Sequence, residues 1–133
     1  MKGKLLAVDI GNSNIVTGIW QNDVWSEIWR FSSHPPLDDK DFYTHALQEI
    51  LVEREIKTSE ITDIVVSSVV PSLIPLWLNA LKAHFKVEPI LIGKQHFSTL
   101  KMGIIAQDEI GTDILSNAYA VFNRYPFDSI VID

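Results

Sequence analysis

No cysteine occurs among the 133 residues. That excludes disulfides, thiolate metal sites and cysteine nucleophiles, and it fits a reducing compartment. Basic residues are scarce: 11 Lys and Arg stand against 17 Asp and Glu, for a formal charge of −6. No basic cluster exceeds two adjacent residues. This balance argues against nucleic acid or an anionic membrane as a partner. No apolar run approaches the roughly 20 residues that cross a bilayer. Met1-Lys2-Gly3-Lys4 leads straight into an apolar stretch and lacks the form of a signal peptide. A soluble, cytoplasmic protein is the expectation. His34, His45, His84 and His96 have no ligand-like spacing, so no transition-metal site is read from them. What is plentiful is apolar residues, 47% of the chain, enough for the core of one domain.

The most informative stretch is Leu6-Ala7-Val8-Asp9-Ile10-Gly11-Asn12-Ser13-Asn14. An apolar strand runs into an acid, a glycine and small polar residues. Ile15 to Trp20 then reads as a returning strand. Gly11 admits close approach of a ligand or a positive φ. Asn12, Ser13 and Asn14 offer short donors and exposed turn N–H groups to phosphate oxygens. Asp9 can hold a hydrated divalent cation that bridges those phosphates. The same residues also suit an ordinary hairpin turn, in which Asn and Gly supply left-handed backbone.

Three strands are expected first, Lys4–Asp9, Ile15–Trp20 and Trp25–Phe31, the last following an Asn22-Asp23 turn. The continuous apolar run of Lys4–Asp9 suggests a central strand buried on both faces. Ser32–Leu37 reads as a loop. The period then becomes helical over Asp38–Glu53, with Phe42, Ala46, Leu47, Ile50 and Leu51 on one face and Asp38 or Asp39 at the start. Asp63–Ser68 is a short strand. Ser67-Ser68-Val69-Val70-Pro71 is a strand-to-helix turn with Pro71 at the first helical position. Leu73–Phe85 is a second helix and Pro89–Ile92 a short strand. Gly93–Ile110 is irregular, with one extended segment near Met102–Ile105. Gly111–Tyr125 is a third helix with Leu115, Ala118, Tyr119 and Phe122 on one face. Ser129–Asp133 is a final strand. Trp20, Trp25, Trp29 and Trp77 read as core or interface aromatics. Three antiparallel strands followed by alternating helices and strands describe an α/β, ribonuclease H-like domain.

Asp9-x-Gly11-Asn12-Ser13 resembles the first phosphate motif of the acetate kinase, sugar kinase, Hsp70 and actin superfamily. More closely, it resembles the Asp-x-Gly-Asn-Thr of type III pantothenate kinases, with Ser13 keeping the hydroxyl. Ser67-Ser68-Val69-Val70-Pro71 is similar to that family's Ser-Ser-Val-Val-Pro turn. Gly111-Thr112-Asp113 is similar to the start of its Gly-x-Asp-Arg helix. The three motifs occur in the family's order and at about its spacing.

The resemblance implies an ATP-dependent kinase that phosphorylates the primary hydroxyl of pantothenate, the first step of coenzyme A biosynthesis. It implies ATP-phosphate binding by Asp9, Ile10, Gly11, Asn12, Ser13, Asn14, Ile15 and Val16, with Asp9 acting on magnesium directly or through water. Asp113 matches the general base, and Gly111, Thr112, Asp113 and Ile114 match the acceptor site. Asp133 matches the acid that helps bind a monovalent cation, K+ or NH4+. In the family a second, similarly folded lobe completes the nucleotide cleft, and the enzyme is a homodimer. On this basis the chain is the N-terminal lobe of a two-lobed kinase, residues 1–133, with little turnover alone.

Two departures stand out. Ile114 replaces the family's Arg and brings neither donor nor charge. Gln107 stands where Pro is usual, and no Tyr occurs between Leu100 and Gly111. The acceptor side is altered while the phosphate side is intact. Two alternatives remain open: a nucleotide-binding regulatory or non-catalytic relative, and a kinase for another small hydroxylated acceptor.

Overall fold

The computed structural model describes residues 3–98 and 109–132. Five strands form one sheet in the order β3-β2-β1-β4-β5. β1 (Lys4–Ile10), β2 (Asn14–Gln21) and β3 (Val24–Ser32) form an antiparallel meander. β4 (Ile61–Ser68) and β5 (Ile90–Leu91) run parallel to β1. α1 (Phe42–Glu53) connects β3 to β4, α2 (Ile74–His84) connects β4 to β5, and α3 (Thr112–Arg124) follows. This is the expected ribonuclease H-like order. The β2–β3 turn places Asn22 and Asp23 at φ 52° and 63°. These are the left-handed angles that a two-residue hairpin requires and that Asn and Asp tolerate.

Strand alternation sends Leu6, Val8 and Ile10 of β1, Ile15 and Ile19 of β2 and Ile64 and Val66 of β4 to one face. That face meets Tyr43, Leu47 and Leu51 of α1 and Trp77, Ala80 and Leu81 of α2, all buried. Trp77 is fully enclosed, with the rings of Phe31 and Tyr43 at 5.2 and 5.1 Å. Burial pushes the Tyr43 phenol above its ordinary pKa, and its hydroxyl donates to the Ser32 carbonyl at 2.8 Å. At the bottom of the sheet Lys4 pairs with Glu60 at 2.6 Å, and this bond holds the Glu60 carboxyl below its usual range. Because that carboxyl is depressed, the pair stabilises the fold above the unfolded-state carboxylate pKa and fades as acid protonates Glu60.

Several expectations change. β1 is buried on one face only: Leu5 and Ala7 are half-buried and Asp9 is exposed, because its second face lines a cavity. α1 starts at Phe42 rather than Asp38. A turn intervenes, in which the Asp39 N–H reaches the Pro36 carbonyl and the Asp39 carboxylate accepts the Asp41 N–H. β4 begins two residues early, at Ile61, and Pro71–Leu73 forms a 3-10 turn before α2. β5 is limited to Ile90–Leu91; Pro89 has no N–H to add to a ladder. Lys94–Phe97 forms a further 3-10 turn, and the extended segment near Met102–Ile105 lies outside the described residues. On α3, Leu115 is buried and Tyr119 meets Phe97, but Phe122 is exposed. Residues 129–132 form no strand; Ile130 and Ile132 are exposed and the segment joins no ladder, without which an extended segment has nothing to fix it. Of the tryptophans, Trp29 and Trp77 are core, while Trp25 is half-exposed and packs edge-to-face on Trp20 at 5.1 Å.

Candidate active site

The β1–β2 hairpin carries the first element of the site. Ile10 and Ile15 close the ladder and bury their side chains completely, so only their backbone serves the tip. Gly11 donates its N–H to the Asn14 carbonyl at 3.1 Å and does not adopt positive φ. Space is tight at this position: a Cβ there would lie 3.0 Å from the Asn14 carbonyl oxygen. Asn12, Ser13 and Asn14 are exposed at the tip. The tip is braced from outside the motif. The buried Ser33 hydroxyl donates to the Gly11 carbonyl at 2.7 Å, and its N–H donates to the Ser13 carbonyl at 3.3 Å. Ser33 was not singled out from the sequence. Its only signal is position, immediately after a strand whose register brings Ser32 opposite Asn14.

The second element is the turn after β4. The Val69 N–H donates to the Ile10 carbonyl at 3.0 Å, which ties the turn to the end of β1. The Ser68 hydroxyl accepts the Val70 N–H at 3.0 Å and donates to the Val70 carbonyl at 3.1 Å. The third element is the start of α3. The Thr112 hydroxyl meets that of Ser67 at 3.0 Å, and the Asp113 carboxylate accepts the Ile114 N–H at 2.8 Å. Gly111 lies against this carboxylate: a Cβ there would overlap Asp113 Oδ1 and stand 3.2 Å from Val69 Cγ1. Gly111→Ala therefore displaces the Asp113 carboxylate before it disturbs the helix. The expected result is a fall in kcat of about 10-fold or more with little change in melting temperature, read by steady-state rates and thermal unfolding.

These elements converge. A cavity of about 460 Å³ opens on the face of the sheet opposite α1 and α2, and both Asp9 and Asp113 line it. Val16 and Ser67 contribute from the sheet, and Ser116 and Asn117 from α3. Trp25 and Ile28 form an apolar wall, and Trp25 closes over Gly18, where a Cβ would meet the indole at 2.9 Å. Ile114 is half-exposed and is not among the residues that line the cavity. Asp133 lies outside the described residues. The donors are hard oxygens, two carboxylates with neighbouring hydroxyls, and no cluster of three metal-ligating side chains exists among the described residues. Such a set fits magnesium, which keeps several waters and takes one or two carboxylates together with substrate phosphates.

Residues 5–133 match the family model described as type III pantothenate kinase. The chain belongs to the type III pantothenate kinase family. A type III pantothenate kinase of Finegoldia magna is 32% identical over 139 residues, covering 100% of this chain and 50% of that protein. One of Shouchella clausii is 30% identical over 131 residues, covering 97% of this chain and 50% of that protein. The chain spans about half the length of the curated relatives it matches. YeaZ from Pseudomonas aeruginosa, a solved structure, is similar at a TM-score of 0.46 and 11% identity, over 68% of this chain and 44% of that one. The three motifs therefore stand in the family to which they pointed.

Proposed function

We propose that this chain is the N-terminal lobe of an enzyme that transfers the γ-phosphoryl group of ATP to the primary hydroxyl of pantothenate. The observation that carries this reading is the shared cavity: Asp9, at the end of the phosphate hairpin, and Asp113, at the start of α3, line one space. Phosphoryl transfer asks for held phosphates, a cation and a group that orients the acceptor hydroxyl and takes its proton. Gly11, Asn12 and Ser13 hold the phosphates, and Asp9 holds magnesium, directly or through water. Asp113 is the base: it orients the pantothenate hydroxyl and accepts its proton as the new P–O bond forms. Bound magnesium neutralises charge on the transferring group. Asp133 contributes to a monovalent-cation site, the working enzyme is a cytoplasmic homodimer, and the lobe alone turns over little because one side of the nucleotide cleft belongs to a second lobe.

The test is product identity. The full-length protein, given ATP, magnesium, potassium and pantothenate, forms pantothenate monophosphate, read by mass spectrometry. Folded, ATP-binding protein that forms none overturns the reading.

A second reading has one specific observation behind it. Ile114 stands beside the base without a donor or a charge, which suits a different small hydroxylated acceptor. Pantothenate is a carboxylate, and a charge-assisted hydrogen bond is worth about 1.5–3 kcal/mol. Ile114→Arg is therefore expected to raise kcat/KM for pantothenate by about 10-fold or more, measured by coupled ADP release. An unchanged kcat/KM, beside efficient turnover of another acceptor, favours the second reading.

A further inference from the structure

The Ser67-Ser68-Val69-Val70-Pro71 turn has no part in the chemistry proposed above, yet it touches both β1 and the start of α3. Ser67 stands directly beside Asp9 in the parallel β1–β4 register. Its hydroxyl meets the Thr112 hydroxyl at 3.0 Å, and Thr112 immediately precedes Asp113. Thr112 Oγ1 also lies 3.4 Å from the Ser68 carbonyl oxygen. One residue further on, the Val69 N–H holds the Ile10 carbonyl at 3.0 Å. Val69 Cγ1 packs where Gly111 carries no side chain. The Thr112 carbonyl in turn accepts the Ser116 hydroxyl at 2.7 Å, and Ser116 lines the cavity. The turn thus bonds to the end of β1 on one side and to the first turn of α3 on the other.

The geometry points to Ser67 and Thr112 as positioning residues: their paired hydroxyls clamp the start of α3 onto the end of β4 and so fix the separation of Asp9 from Asp113. Neither hydroxyl reacts. Their effect passes through the backbone of Asp113, whose carboxylate accepts the Ile114 N–H and lies against the open space at Gly111. Among the described elements α3 packs chiefly on β4 and on the 3-10 turn at Lys94–Phe97, so the clamp lies at one of its two main contacts. A displacement of about 1 Å between a base and a phosphoryl donor costs up to about 100-fold in rate.

This inference rests on the kinase reading for the role of Asp113, and its test separates the two. In the full-length enzyme, Ser67→Ala and Thr112→Val each lower kcat by about 10-fold or more and leave KM for ATP within about twofold. Because both remove one bond, the double variant is no slower than the slower single variant. Thr112→Ser, which restores the hydroxyl, recovers most of the rate. Unchanged kcat in either single variant, or losses that multiply in the double variant, overturns the clamp. So does a lower melting temperature with an intact kcat, which is what a merely structural pair would show. A silent wild type counts against the pantothenate reading instead. The clamp is then read from amide exchange of Leu115, whose N–H closes the first turn of α3 on the Gly111 carbonyl at 3.2 Å. Faster exchange in Thr112→Val than in wild type is expected, and equal exchange overturns the clamp.

Discussion

Asp113→Asn in the full-length enzyme lowers kcat by about 100-fold or more, the usual loss when a positioned base is removed. KM for ATP is expected to change little, because the proposed phosphate-binding residues belong to the β1–β2 hairpin and not to α3. The substitution keeps the shape of the side chain. An amide oxygen still accepts the Ile114 N–H, so the first turn of α3 keeps its local bond. The fold is not the variable; proton acceptance is. Stopped-flow or steady-state ADP release measures the effect, and thermal unfolding verifies that the variant is intact. An unchanged kcat removes Asp113 from the mechanism and leaves the acid at 113 as a helix-terminus residue, a common use of Asp.

The largest effect on stability falls at Trp77. Its side chain is fully buried between the sheet and α1, in contact with Phe31 and Tyr43. Trp77→Ala removes the bulkiest fully buried side chain among the described residues and leaves a void that a rigid sheet cannot close. The expected loss is about 3–5 kcal/mol. That is a fifth or more of the roughly 5–15 kcal/mol by which a domain is stable. Trp77→Phe keeps a ring against Phe31 and Tyr43 and costs less. Denaturant midpoints of the two variants, taken with wild type, check both statements. Equal midpoints for Trp77→Ala and wild type contradict the packing described.

The fold was legible where one physical signal dominates. Apolar runs bounded by Gly11 and by Asn22-Asp23 marked the meander; at Asn22-Asp23 the two-residue hairpin needs residues that accept positive φ. The helical period of Leu47 and Leu51 marked the face of α1 that covers the sheet. Of the candidate site residues, Asp9 and Asp113, which the sequence marks more than 100 positions apart, line one cavity in the fold. What escaped depends on partners distant in sequence. Ser33 looked like an ordinary loop residue until the β3 register carried it to the hairpin tip. Thr112 was read as part of the acceptor site, but its hydroxyl bond to Ser67 exists only once β4 and α3 are packed. Asp39 fitted a helix start, but its side chain competes for the Asp41 amide and ends a turn instead. The segment 129–132 carries strand-forming residues, but β-propensity describes fit to a neighbouring strand and does not create one.

The central claim is that a phosphate-side carboxylate and an acceptor-side carboxylate act across one cavity. The most direct test is ADP release by the full-length protein with ATP, magnesium and potassium, in the presence and absence of pantothenate, for wild type, Asp9→Asn and Asp113→Asn. The account predicts wild-type turnover that depends on pantothenate, and a loss of about 100-fold or more in each variant. ADP release that is indifferent to pantothenate, or that survives either substitution, contradicts it.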